Sequence, residues 1–172
     1  PFDHDGNGFR ERSGWAGPDD GFLAWDRNGD GRIDDGSELF GNRTPLRGGG
    51  LAPNGFVALA SWDDNADGKI DASDALWPSL RVWRDRNSDG VSAPDEISLL
   101  SDVGVTSISA SYTNSTTVDP QGNAHKQLGN FSRADGSTGA AEDVWFRVDT
   151  VHSIAAGRLA VPADIAAMPD FR

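Results

Sequence analysis

A short acidic pattern recurs along the first 96 residues and constrains the fold more than any other feature of the chain. Its clear copies read DRNGDGRIDDGSE at 26–38, DDNADGKIDASD at 63–74 and DRNSDGVSAPDE at 85–96. A fainter copy, DHDGNGFRE, stands at 3–11. In chain order we call these segments loop one (3–11), loop two (26–38), loop three (63–74) and loop four (85–96).

Oxygen side chains at alternate positions, followed by glycine, are typical of a calcium-binding loop. Positions 1, 3 and 5 supply side-chain oxygens, and the chain turns sharply at the glycine of position 6. Position 7 supplies its backbone carbonyl, position 9 binds directly or through water, and a carboxylate near position 12 closes the site. Asp, Asn and Gly also form ordinary turns, but chance does not explain four copies with one spacing. The sequence therefore predicts three or four bound Ca²⁺ ions.

The predicted ligands of loops two to four follow this order with two offsets. Glu38 falls at position 13 of loop two. In loop four Val91 is the apolar residue that we expect to fill the core, and it comes one place before position 8, where Ile33 and Ile70 stand in loops two and three. Arg32, Lys69 and Val91 would contribute only their backbone carbonyls. The predicted ligands are Asp26, Asn28, Asp30, Arg32, Asp34 and Glu38 in loop two, Asp63, Asn65, Asp67, Lys69, Asp71 and Asp74 in loop three, and Asp85, Asn87, Asp89, Val91 and Glu96 in loop four.

Loop one departs furthest from the pattern. Its position 12 is Gly14, so the closing carboxylate has to come from Glu11 or from Asp20, after a turn at Gly17-Pro18. The predicted ligands of loop one are Asp3, Asp5, Asn7, Phe9, Glu11 and Asp20.

The charge of the chain fits a partner that is a cation and excludes several other classes. The net charge is −12, and most of the 27 acidic residues are Asp, the shorter carboxylate that tight turns and hard cations favour. Such a chain lacks the basic patches that nucleic acid requires. It has no cysteine for disulfides or thiolate metal sites, and no apolar run long enough to span a membrane. Because clustered carboxylates repel one another, we expect the module to fold when calcium binds. We also expect it to be monomeric.

The hydrophobic patterning predicts a single α+β domain. In residues 1–104 we expect EF-hand-like calcium loops joined by short helices, at 55–62, 71–83 and 94–104, with a strand or tight connector at 21–25. In residues 105–172 we expect a small antiparallel sheet followed by a C-terminal tail with one short helix after Pro162. Alternating apolar residues predict strands at 105–113 and 143–150, and DPQGN at 119–123 predicts a turn between strands.

No catalytic residue emerges from the remaining motifs. His4, His125 and His152 have no partners at metal-ligand spacing, and the six Trp residues are more typical of core packing than of a sugar-binding platform. Asp119-Pro120 is the sole Asp-Pro pair of the chain, and its surroundings are those of a hairpin turn.

Three runs resemble a known family, the self-processing module of FrpC-type RTX proteins of Gram-negative bacteria. They are FDHDGNGFRERSGW, DDGFLAWDRNGDGRIDDGSELFGN and LRVWRDRNSDGVSAPDE, and the resemblance extends from Phe2 to about His152. It implies type I secretion, and a module that calcium folds and that then breaks an Asp-Pro bond at its own N-terminal edge. The activated Asp is captured there by a lysine, which cross-links the module to another protein. Loops two to four correspond to calcium loops of that family.

The chain departs from the family where the reaction takes place. The family's scissile Asp-Pro and the L-x-L-D-x-D-G-D-G stretch that follows it do not occur here, and Asp119-Pro120 lies in the wrong place to replace them. The resemblance therefore predicts the calcium-responsive body of a self-cleaving module, whose reacting Asp lies upstream.

Two other functions compete with this prediction. One is a non-catalytic adhesin or spacer segment that calcium stiffens. The other is a dockerin-like module whose paired calcium loops present helices to a protein partner. The starts of loops two, three and four are spaced unevenly along the chain, which argues against the dockerin-like alternative.

Overall fold

The computed structural model describes residues 1–155, which form ten strands and one α-helix. The α-helix, α1, spans Gly55–Ala60, and two short 3₁₀ helices span Gly36–Glu38 and Trp77–Ser79. The strands are β1 (Phe9–Ser13), β2 (Phe22–Trp25), β3 (Lys69–Asp71), β4 (Leu80–Trp83), β5 (Ile97–Leu99), β6 (Val105–Ser109), β7 (Thr113–Val118), β8 (Ala124–Arg133), β9 (Thr138–Trp145) and β10 (Val148–Ala155).

These strands pair in three antiparallel sheets. β1 pairs with β10, and β4 lies between β2 and β5. The third sheet is built on β8, which pairs with β9 along one edge and with β6 and β7 along the other, while β3 pairs with β6. Loop four therefore connects β4 and β5 of one sheet, whereas loop three leads from α1 into the sheet around β8.

Two clusters of buried side chains fill the interior. The aromatic cluster contains Phe2 and Trp83, both 0% exposed, with Trp15 and Phe22 packed against them. The aliphatic cluster lies under α1 and β3 and consists of Leu59, Ile70, Leu76, Leu80, Leu100 and Ile108. The sheet around β8 is joined to α1 by Asp143, a buried carboxylate that accepts a hydrogen bond from the Gly55 amide at 2.6 Å. Burial raises the pKa of Asp143.

The predicted α+β class is wrong, because two of the expected helices are strands. In segment 71–83, Pro78 cannot donate a backbone hydrogen bond, the helical turn there is limited to Trp77–Ser79, and the chain continues as β4. In segment 94–104, Ile97–Leu99 pairs with β4 as β5. In both segments the spacing of the apolar residues suits a helix or a strand, and the pairing of β4 with β2 and β5 selects the strand.

The other sequence predictions agree better with the structure. The helix predicted at 55–62 is α1, and the Asn54 side chain caps it by accepting from the Val57 amide at 2.9 Å. Strands form within 21–25 and 105–113, and the turn at 119–123 joins β7 to β8. The strand predicted at 143–150 is instead the end of β9 and the start of β10. The helix predicted after Pro162 lies outside the described residues, within which no helix is long and apolar enough to cross a membrane.

Candidate metal centre: four acidic loops

All four loops share one hydrogen-bond frame that starts at the first Asp. In each loop the Oδ2 atom of this Asp accepts a hydrogen bond from the backbone amide of the position 6 glycine, whose positive φ suits glycine best. This bond turns the loop back on itself, so that the side chain of position 1 lies against the backbone of position 6. The pairs are Gly8 to Asp3 (2.8 Å), Gly31 to Asp26 (2.9 Å), Gly68 to Asp63 (2.8 Å) and Gly90 to Asp85 (2.8 Å).

The frame continues through positions 3, 5 and 7. The position 3 oxygen accepts from the amide of position 5 at 2.8 to 3.3 Å in every loop. The position 5 oxygen accepts in turn from the amide of position 7, so three oxygen side chains are held one after another along the loop. These pairs are Phe9 to Asn7 (2.8 Å), Arg32 to Asp30 (2.9 Å), Lys69 to Asp67 (3.1 Å) and Val91 to Asp89 (2.7 Å).

The closing carboxylates of loops two, three and four have the same contacts, although their sequence positions differ. Glu38, Asp74 and Glu96 are all at most 5% exposed. One oxygen of each accepts from the amide of position 2, and the other accepts from the amide of position 9. Glu38 reaches this place from position 13 because the 3₁₀ turn Gly36–Glu38 takes up the extra residue. Burial raises the pKa of Glu38.

The predicted ligands at position 9 of loops two and three have different neighbours. In loop two, burial and the nearby Asp30 carboxylate raise the pKa of Asp34. In loop three, Asp71 accepts from the Ser73 amide at 2.8 Å and pairs with Lys69 at 3.2 Å, and these two contacts lower its pKa. Asp34 thus lies among the carboxylates of its loop, whereas Asp71 also has a cationic side chain as a partner.

Loop one brings together Asp3, Asp5 and Glu11, whose ligand oxygens lie within 4.8 Å of one another. Burial, followed by the charges of Asp5 and Asp3, raises the pKa of Glu11. The predicted sixth ligand, Asp20, is engaged elsewhere, since it accepts from the Gly17 amide at 3.0 Å in an exposed turn. Loop one is joined instead to the end of loop two, where the Gly36 amide donates to the Asp3 carbonyl at 2.8 Å.

Loops two and four are joined through their position 8 residues, a contact that the sequence did not indicate. The Ser92 hydroxyl accepts from the Ile33 amide at 2.7 Å and donates to the Ile33 carbonyl at 3.1 Å. Ser92 is 5% exposed, whereas Val91 is 38% exposed. The expectation that Val91 fills the core is therefore wrong, because the hydroxyl of Ser92 occupies the inward position and satisfies two backbone groups of loop two.

The donor set suits a hard divalent cation. It consists of carboxylate and amide oxygens with backbone carbonyls nearby, and it contains no sulfur and no imidazole. Burial, and after it the neighbouring carboxylates, raise the pKa of Glu11 in loop one and of Asp34 in loop two, so these two loops concentrate negative charge. Calcium, which takes six to eight oxygen ligands in flexible geometry, fits these residues better than a metal that prefers nitrogen or sulfur.

The three histidines lie outside this donor set. His4 contacts the Ser13 hydroxyl at 2.7 Å beside the aromatic cluster, and burial lowers its pKa. His125 contacts Glu142 in the sheet around β8, and His152 contacts Asp149 at 2.9 Å. The Asp119 carboxylate accepts from three donors in its turn, two backbone amides and the Asn123 side chain, as expected of a hairpin turn.

Comparisons with known proteins identify relatives of most of the chain. The sequence profile of the SPM domain matches residues 1–147. The iron-regulated protein FrpA of Neisseria meningitidis serogroup C is 39% identical to this chain over 152 residues. The matched region is 88% of this chain but 14% of FrpA, so the chain spans a small part of that relative.

Proposed function

The chain belongs to the SPM domain family and is related to FrpA/FrpC-like proteins, and from this we propose that it is a calcium-folded module of a larger secreted protein. We propose further that the folded module supports self-processing at an Asp-Pro bond upstream of Pro1. The observation that carries the proposal is the hydrogen-bond frame that loops one to four repeat around their oxygen side chains.

Calcium would be held by the oxygens at positions 1, 3, 5 and 7 and by the closing carboxylate. When bound, it supplies positive charge that offsets the repulsion between carboxylates and links the two ends of each loop. Glu38, Asp74 and Glu96 are already tied to both halves of their loops by backbone amides, so they are in place to close the sites. A cation that binds only the folded chain stabilises it by about 4 kcal/mol when its free concentration is about 1,000 times its dissociation constant.

The proposed self-processing follows from the family resemblance. A carboxyl oxygen of the upstream Asp attacks the backbone carbonyl carbon of the same residue, the bond to the proline nitrogen breaks, and that nitrogen takes up a proton. A cyclic anhydride remains, and a lysine amine that opens it forms an isopeptide bond and leaves a free carboxyl group. In this proposal the loops hold the module in the shape that positions the bond, and they take no part in the bond changes.

Calcium binding is tested first on the 172-residue chain. Chelated protein is titrated with calcium in a calorimeter, while circular dichroism and the melting temperature are recorded with and without calcium. We expect three or four bound ions and a large rise in melting temperature. A chain that binds no calcium, or that has the same spectrum and melting temperature in chelator, contradicts the proposal.

Self-processing is tested on the longer polypeptide that includes the upstream residues. Its intact mass is followed after millimolar calcium is added, with magnesium as the control. Two fragments whose masses sum to that of the parent plus one water, with one fragment starting at proline, would support self-processing, as would a cross-linked product. An unbroken chain that nevertheless folds with calcium would overturn this part and favour the calcium-stiffened spacer.

A further inference from the structure

A hydrogen bond connects Trp15 of the aromatic cluster to loop four. The indole N–H of Trp15 donates to Asp85 Oδ2 at 2.7 Å, although 70 residues separate the two in sequence. Asp85 occupies position 1 of loop four and is 3% exposed. We infer that Trp15 is a positioning residue that fixes how Asp85 presents its carboxylate to a cation. This inference rests on the proposed calcium binding and extends it.

The hydrogen bonds of Asp85 leave one oxygen for the cation. Oδ2 accepts from both Trp15 and the Gly90 amide, at 2.7 and 2.8 Å, and these donors occupy its two lone pairs. Oδ1 accepts one bond, from the Asp89 amide at 3.1 Å, and keeps a lone pair free. Asp85 is therefore a ligand through Oδ1 alone, in the orientation that Trp15 sets.

Loops two and three lack this second donor. Oδ2 of Asp26 and Oδ2 of Asp63 each accept from the position 6 glycine, and no other described residue donates to them. Both Asp residues are half-buried, so water can supply what the protein does not. Asp85 is almost fully buried, where a hydrogen bond to a carboxylate is worth most, and its second donor comes from the protein. Asp3 of loop one is similarly buried, but among the described residues its Oδ2 accepts from the Gly8 amide alone, so the second donor distinguishes loop four.

The donor is itself fixed by its packing. The Trp15 ring lies 4.9 Å from the Phe22 ring, 5.4 Å from the Phe2 ring and 5.6 Å from the Trp83 ring, measured between centroids. A ring held on several sides cannot follow Asp85 if the carboxylate rotates. Loss of the N–H would leave Oδ2 short of a donor and Asp85 free to turn away from the cation. The loss of such an outer partner typically lowers metal affinity 10- to 100-fold.

The test replaces Trp15 with Phe in the full chain, which removes the N–H and keeps an aromatic ring. The amide signals of Gly90 in loop four and Gly68 in loop three are followed by NMR through a titration with chelator-buffered calcium. In W15F we expect the Gly90 transition to need on the order of tenfold more calcium, with the Gly68 transition unchanged. A Gly90 midpoint equal to that of the unmodified chain, or an equal shift of both signals, overturns the inference.

W83F is the matched control, because Trp83 lies in the same cluster and its indole N–H has no hydrogen-bond partner among the described residues. It should leave the Gly90 midpoint unchanged. If Phe at position 15 loosens the packing, benzothienylalanine repeats the test there, since sulfur replaces the N–H at nearly constant shape. Failure of the proposed function looks different, because neither glycine signal of the unmodified chain would then respond to calcium.

Discussion

Loop three and loop four have nearly the same sequence pattern and the same internal hydrogen bonds, but their surroundings differ. In loop three, Asp63 is half-buried and Gly68 is exposed, and β3 forms the second half of the loop. In loop four, Asp85 and Gly90 are buried, and a Cβ atom added to Gly90 would lie 2.5 Å from the Pro1 carbonyl oxygen. The local pattern fixes the hydrogen-bond frame of a loop, while the rest of the fold determines how far the loop is buried.

The two loops also contact different parts of the molecule. Ile70, at position 8 of loop three, packs in the aliphatic cluster and pairs with Ile108 across β3 and β6. Ser92, at position 8 of loop four, is bonded to Ile33 of loop two. Loop three is thus coupled to the sheet around β8, and loop four to loop two and the aromatic cluster. A change in loop three should therefore affect the sheet around β8, and a change in loop four should affect loop two and the aromatic cluster.

Removal of calcium should have the largest effect on stability and should show that loop three responds separately from loops two and four. With three sites that each contribute about 4 kcal/mol, chelation should lower the free energy of unfolding by on the order of 10 kcal/mol. Urea unfolding with and without calcium measures the loss, and hydrogen exchange shows where it occurs. As calcium is lowered, the amides of loops two and four should lose protection together, and those of loop three separately. A single transition for all the amides would contradict this separate response.

Replacing Ile70 with Ala should have the next largest effect. Ile70 is 0% exposed in the aliphatic cluster, and loss of such a side chain typically costs 2 to 5 kcal/mol, about 3 kcal/mol here. Val91→Ala is the matched change in loop four, and it should cost less, about 0.5 kcal/mol, because Val91 is 38% exposed whereas Ile70 is fully buried. Urea unfolding in saturating calcium compares the two. Equal losses would mean that Val91 is a core residue after all.

Ser92→Ala should break the contact between loops two and four. Its hydroxyl serves both the amide and the carbonyl of Ile33, and each buried group left without a partner costs at least about 1 kcal/mol, so we expect a loss of about 2 kcal/mol. The amides of loop two should then exchange faster while Gly68 of loop three is unaffected. Ser101→Ala, at an exposed site, is the control and should change stability by less than about 0.5 kcal/mol.

The loops were predictable from the sequence because their structure is local. Asp63, Asn65, Asp67 and Gly68 bond to one another within six residues, and the spacing of oxygen side chains contains that geometry. Even Glu38, displaced by one position, finds the same two amides as Asp74 and Glu96.

What surrounds the loops was not predictable, because it depends on contacts that are distant in sequence. The hydroxyl of Ser92 meets Ile33 across 59 residues, and no local pattern marks Ser92 rather than Val91 as the inward residue. The strands β4 and β5 were mistaken for helices for the same reason, since it is their pairing with each other and with β2 that selects the extended backbone. Trp15 was expected only as a core residue, and its bond to Asp85 appears only in three dimensions.

A pH effect in the sheet around β8 should be the smallest, and it provides a reference outside both loops. The hydrogen bond to Glu142 is the main cause that raises the pKa of His125 above its usual 6.5, and the charges of Glu142 and Asp119 add to it against the effect of burial. Protonated His125 therefore stabilises the fold fully below pH 6.5, and this contribution is lost as pH rises through the raised pKa. The side chain is 26% exposed, so we expect only about 0.5 kcal/mol. Urea unfolding in saturating calcium at several pH values, compared between the unmodified chain and Glu142→Gln, measures this contribution. The contribution of His125 should be the same within error in the Ile70→Ala and Ser92→Ala variants, because free-energy changes at distant, independent sites are additive. A contribution that changes in one of these variants alone would show that the corresponding loop is coupled to His125.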